Sequence, residues 1–172
     1  MKKVIIAILC IISTSAFAQS EDDAIKSTIN AYTDGFTKGD SASINRAFLS
    51  NALLKNLNAA SGKVNDMPLK KFVASMPAGG AKATASLVSY SYAGTSGVAI
   101  VEFKFPDFKY VDLLSLLKIN GDWKIVCRVY GRIGLDESVT SSTVSGGKSS
   151  GGKAAPAAVK KPVAKPKADD GW

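Results

Sequence analysis

The chain has 172 residues, with 22 basic against 14 acidic side chains, a net charge of +8 at neutral pH and no histidine, which excludes His-based triads and most zinc sites. The excess charge sits at the ends: Lys2 and Lys3 give +2, and six Lys against two Asp give +4 in residues 141–172. Residues 19–140 hold fourteen basic against twelve acidic side chains, so a domain that binds nucleic acid has little electrostatic support.

Residues 1–18 read as a signal peptide. Lys2 and Lys3 precede the apolar run Val4 to Ile12, and Ala16-Phe17-Ala18 offers small residues where a signal peptidase reads. The run is about half as long as a membrane span requires. Cys10 follows Leu9 rather than the small residue that lipid attachment favours. Cleavage after Ala18 and export to the periplasm or beyond are expected of a bacterial protein. Only Cys127 then remains, and one thiol makes no intramolecular disulfide.

The domain is expected over residues 19–140. Ser20 and Asp23 suit a capping box, and Ile25, Ile29, Tyr32 and Phe36 recur on one face of a long first helix ended by Gly39. Asp40 or Ser41 caps a shorter helix carrying Ile44, Ala47 and Phe48, and Asn51 to Leu57 reads as a strand. A third helix is predicted from Asp66, its cap, to Met76, with Leu69, Phe72, Val73 and Met76 inward. Pro77, Gly79 and Gly80 end it.

Four strands follow, at about Thr84–Tyr92, Val98–Phe105, Phe108–Ile119 and Asp122–Arg132. The last two meet at Asn120-Gly121, the pair that a type I′ hairpin turn favours. Val111, Leu113, Ser115 and Leu117 alternate there with Tyr110, Asp112, Leu114 and Leu116. The first set is read as inward, with Trp123, Ile125, Cys127 and Val129 inward on the last strand. Helices gathered against a mostly antiparallel sheet make an α+β domain with three helices.

After Val139 the composition changes to Ser, Gly, Lys, Ala and Pro. Residues 141–172 have little apolar surface to offset ordering entropy and are expected to be disordered. Their lysines suit contact with anionic envelope surfaces.

The element order, Lys38-Gly39-Asp40 after the first helix, and the Tyr110–Val126 segment resemble the nuclear transport factor 2-like superfamily, and within it the putative lumazine-binding branch. The resemblance covers about Asp22 to Arg132. It implies a cone: a strongly bent sheet wrapped around the first helix, with an apolar cavity open at one end. Tyr32, Phe36, Phe48, Leu54, Phe72, Phe103, Leu113 and Trp123 are the expected cavity residues, as the large apolar members of their local patterns. Tyr110, Leu114, Leu116, Val126 and Tyr130 would then form an outer apolar face, with Asp112 and Arg128, through which two copies pair.

Ketosteroid isomerases of this superfamily use a first-helix tyrosine as an oxyanion donor and an aspartate as base. Tyr32 stands eight residues before Asp40 as that tyrosine does, but the aspartate's place falls near Asn56. No metal-ligand spacing, glycine-rich phosphate loop or cofactor motif appears. The function expected is an exported module that binds an apolar or aromatic small molecule. The alternative is an isomerase-, dehydratase- or cyclase-like enzyme using Tyr32 as hydrogen-bond donor, which a buried carboxylate with a raised pKa within about 6 Å of Tyr32 in the cavity would favour.

Overall fold

The structure is a computed structural model that describes residues 21–140. The signal peptide and tail expected above lie outside those residues, as does the Ser20 half of the capping box.

Helix α1 covers residues 21–38 and buries Ile25, Ile29, Tyr32 and Phe36, the face that helical spacing marks. It stops at Gly39, whose φ of 74° suits the left-handed cap position. A side chain at Gly39 would collide with the backbone of Gly80, and Ala81 N–H bonds the Phe36 carbonyl at 2.9 Å, so the loop after the third helix seals this end of α1. Helix α2, Ser41–Ala47, is capped by Asp40, which accepts from the backbone of Ala42 at 2.9 Å and Ser43 at 3.2 Å and from the Ser43 hydroxyl at 2.5 Å. The Ser43 bonds hold the Asp40 carboxyl below its usual pKa, against a small opposing effect of burial.

Strand β1, Phe48–Leu57, starts directly after α2, so Phe48 opens a strand rather than closing a helix. Strand β2, Val64–Pro68, takes the place of the expected start of the third helix. Asp66 is not a cap. It lies opposite Lys55 in the antiparallel β1–β2 pair and binds its ammonium at 2.6 Å. Helix α3 is the shorter Leu69–Ser75 and buries Leu69 and Phe72. Strands β3 (Thr84–Ala93), β4 (Ser96–Lys104), β5 (Lys109–Ile119) and β6 (Asp122–Ile133) complete one six-stranded sheet in the order β2-β1-β6-β5-β4-β3. Only β1 and β6 run parallel. Register breaks occur in β1–β6, β3–β4 and β5–β6, which bend strands and suit a sheet wrapped around a helix. The fold is the expected α+β cone.

The hairpin forms as expected, with Asn120 at φ 53° and Gly121 at φ 93°. The faces assigned to β5 and β6 need correction. Tyr110, Asp112, Leu114 and Leu116 point inward and are buried, and Leu113 is 48% exposed on the outer face. Leu113 is therefore no cavity residue, and Tyr110, Leu114 and Leu116 form no outer surface. On β6, Trp123 and Ile125 face inward, but Val126 is an extra residue between the pairs Leu116–Ile125 and Ser115–Cys127. Beyond this bulge the parity flips: Arg128 is buried and Val129 is exposed. Val126 is half-buried at the bulge, Tyr130 joins the inner side opposite Asp112, and Cys127 lies outward beside Ser115, not beneath Trp123.

Candidate functional site

The flipped parity brings Tyr32, expected inside the cone, together with Asp112 and Arg128, expected on its outer face. Tyr32 from α1, Asp112 from β5 and Arg128 from β6 form a buried polar cluster inside the cone. The Tyr32 hydroxyl donates to Asp112 Oδ2 at 2.5 Å. Arg128 grips the same carboxylate side-on, Nε to Oδ2 at 2.7 Å and Nη2 to Oδ1 at 2.9 Å. Asp112 is fully buried and Arg128 is 3% exposed, so each charge depends on the other in a site where water cannot substitute. Asp112 and Arg128 do pair across adjacent strands, as their positions allow, but inside the core rather than on the surface.

Electrostatics follow from this burial. Burial alone would pull the Arg128 guanidinium toward its neutral form. The charge and hydrogen bonds of Asp112, together with Tyr32 and Tyr130, outweigh it and hold the pKa above the usual arginine value. Burial pushes the Tyr32 phenol well above its usual value, with Arg128 opposing and Asp112 reinforcing the shift. Tyr32 is therefore a neutral donor whose proton is committed to Asp112.

Aromatic rings surround the cluster. Tyr32 meets Phe48 edge-on at 5.1 Å and Phe103 at 5.4 Å, and Phe36 stacks on Phe72 at 5.7 Å. The Arg128 guanidinium lies 3.9 Å from the Tyr130 ring centroid and 5.4 Å from that of Phe72.

Next to this cluster opens a cavity of about 420 Å³. Strands β1 and β2 and helix α3 form one side through Asn56, Asn65, Met67, Lys71, Phe72 and Met76. Phe36, Phe105, Tyr110, Tyr130 and Arg128 form the other. Of the residues expected to line a cavity, Phe36 and Phe72 are in this wall. Tyr32, Phe48, Leu54, Phe103 and Trp123 are buried in the core and Leu113 faces out. Trp123 instead donates its Nε1–H to Glu21 at 2.8 Å, and the same carboxylate pairs with Lys118. Asn56, where the isomerase aspartate would fall, does line the cavity, as an amide.

The sequence reading missed Arg128, Tyr110 and Tyr130 as inward residues. One signal was available. A two-residue turn at Asn120-Gly121 places Trp123 opposite Lys118, so an inward Trp123 forces Leu116, Leu114 and Asp112 inward. The bulge at Val126, which turns Arg128 inward, had no comparable signal. Among the described residues no cluster of carboxylates and Cys could hold a metal ion, and no helix is long and apolar enough to cross a membrane.

Fold and site together define a nuclear transport factor 2-like domain. The family model described as putative lumazine-binding matches residues 20–131, and the chain belongs to that family. No curated protein matches it. The solved structures that share the fold include three of NTF2-like proteins of unknown function. The Shewanella baltica protein is 24% identical over 66% of this chain and 94% of its own, with a TM-score of 0.60. The Methylobacillus flagellatus protein is 27% identical over 67% and 94%, with a TM-score of 0.59. The Silicibacter pomeroyi protein is 21% identical over 67% and 98%, with a TM-score of 0.59.

Proposed function

We propose that this chain is an exported binding module that takes a small, largely apolar molecule into the cone. The observation that carries this reading is the cavity of about 420 Å³, in whose wall Phe36, Phe72, Phe105, Tyr110 and Tyr130 stand beside the amides of Asn56, Asn58 and Asn65 and one buried guanidinium. Ligand sites commonly combine an apolar wall with a few fixed polar groups. The Tyr32–Asp112–Arg128 cluster favours binding over proton transfer. Tyr32 is not in the cavity wall and donates to Asp112, whose oxygens already accept three hydrogen bonds. A proton-transfer site would need one of those groups turned toward a substrate. Export rests on the pattern of residues 1–18.

Native mass spectrometry of protein purified from the periplasm tests the reading. A co-purified molecule released on denaturation is the expected result. A ligand-free chain that also takes up none of the aromatic probes described below would overturn it.

The paired assembly expected from the sequence is proposed with a different surface. The outer sheet face exposes Val98, Leu113, Leu117 and Val129 on neighbouring strands, with Leu53 at the β1 side. Such an apolar stripe suits an isologous contact between two copies.

A further inference from the structure

We propose that the cavity selects a flat aromatic monoanion, a carboxylate in the simplest case, whose acid group docks on Arg128. This rests on the binding function proposed above and specifies its ligand class.

The argument starts from the guanidinium. Arginine carries five N–H donors in a rigid plane. Asp112 takes Nε–H and one Nη2–H, which uses one edge of the plane. Three further N–H bonds lie on the edges away from Asp112, and Arg128 is part of the cavity wall while Asp112 is not. A ligand in the cavity thus meets the cation first, with its counter-charge behind it. Asp112 and the ring of Tyr130 fix the plane of the fork, so a second planar acceptor finds it pre-oriented.

The charges of the wall decide the sign. Its charged members are Asp66, Lys71 and Arg128. Asp66 is held by Lys55 at 2.6 Å and Arg128 is balanced by Asp112, so Lys71 leaves the site with one net positive charge. A cationic ligand would face Lys71 and Arg128 and find the one wall carboxylate already paired. A neutral ligand would gain no ion-paired hydrogen bond from either cation. One anionic group balances the site. The rest of the ligand meets Phe36, Phe72, Met67 and Met76, which favour a flat ring with polarizable contacts.

Isothermal titration of the mature, exported chain with three probes of one shape tests this: naphthoate, naphthamide and naphthylmethylammonium. The acid should bind about tenfold or more tighter than the amide, as charge-assisted hydrogen bonds exceed neutral ones by that order, and the ammonium should bind weakest. Lys71 is exposed, so Lys71→Met should fold normally and narrow the preference for naphthoate over the amide about two- to fivefold. Arg128→Lys should remove most of the preference for the acid, because an ammonium lacks the fork. If that variant does not fold, the Lys71 result and the probe order still decide. Amide binding equal to or tighter than the acid, or a preference for the ammonium, overturns the anion class while leaving the cavity as a binding site. No binding of any probe overturns the class, and together with a ligand-free native spectrum it overturns the binding function itself.

Discussion

Asp112 holds Arg128 by two hydrogen bonds of 2.7 and 2.9 Å, carboxylate and guanidinium both buried, and Tyr32 completes the carboxylate's shell at 2.5 Å. The pair ties β5 to β6 just past the bulge at Val126 and sets the guanidinium in the cavity wall. Removing one partner leaves a buried charge with nothing to balance it. Asp112→Ala should therefore cost about 3–5 kcal/mol in urea unfolding. The double variant Asp112→Leu with Arg128→Met should recover much of that loss, because it removes both charges. A double variant as unstable as the single one would refute the charge argument.

Tyr32→Phe is a smaller change. It removes one of three hydrogen bonds to a buried carboxylate and should cost about 1–3 kcal/mol. A pH signature separates it from simple loss of packing. Burial raises the folded-state pKa of Tyr32 well above its unfolded value. Its contribution is therefore fully present below about pH 10, where the unfolded phenol is still protonated, and fades as pH rises through the alkaline range. The stability of the wild-type chain should fall above that pH more steeply than that of Tyr32→Phe. Parallel alkaline limbs would show that Tyr32 titrates as an ordinary surface phenol.

Asp40 and Glu21 contribute to the acid limb. Ser43 lowers the first pKa, and hydrogen bonds from Lys118 and then Trp123 lower the second. Folded-state values below the unfolded ones stabilise the fold above the unfolded carboxylate range, and that stabilisation is lost as pH falls through the folded values. Glu21→Gln should flatten the stability profile below about pH 5 and leave the alkaline limb unchanged. An unchanged acid limb would mean that Glu21 does not tie α1 to the β5–β6 hairpin in solution.

Phe36 belongs both to the core and to the cavity wall, in contact with Phe72 and with Phe103 at 4.9 Å. Phe36→Ala should cost about 3–5 kcal/mol if the site behaves as close-packed core. A much smaller loss would show that the ring faces an open pocket whose walls relax. Denaturant midpoints at constant slope distinguish the two outcomes.

The outer stripe is tested by Leu113→Glu. Leu113 lies opposite Val129, both on the outer face, so a two-fold contact there would bring two new carboxylates together. Size-exclusion with light scattering should find the wild-type chain dimeric and the variant a folded monomer. A wild-type chain that stays monomeric at high micromolar concentration would rule out the pairing.

Local chemistry in the sequence was enough to determine the long first helix, the Asp40 cap, the left-handed Gly39 and the Asn120-Gly121 hairpin, because each depends on residues a few positions apart. The family, and with it the cone, was legible for the same reason: motif and element order are properties of the chain itself. Which face of β5 turns inward was not decided by its own pattern. Leu113 and Leu117 are as apolar as Leu114 and Leu116, and a carboxylate at Asp112 argues for the surface when it is considered alone. Tertiary structure reversed that choice by supplying Arg128 across a bulged partner strand and Tyr32 from a helix eighty positions away, three groups that can be buried only together.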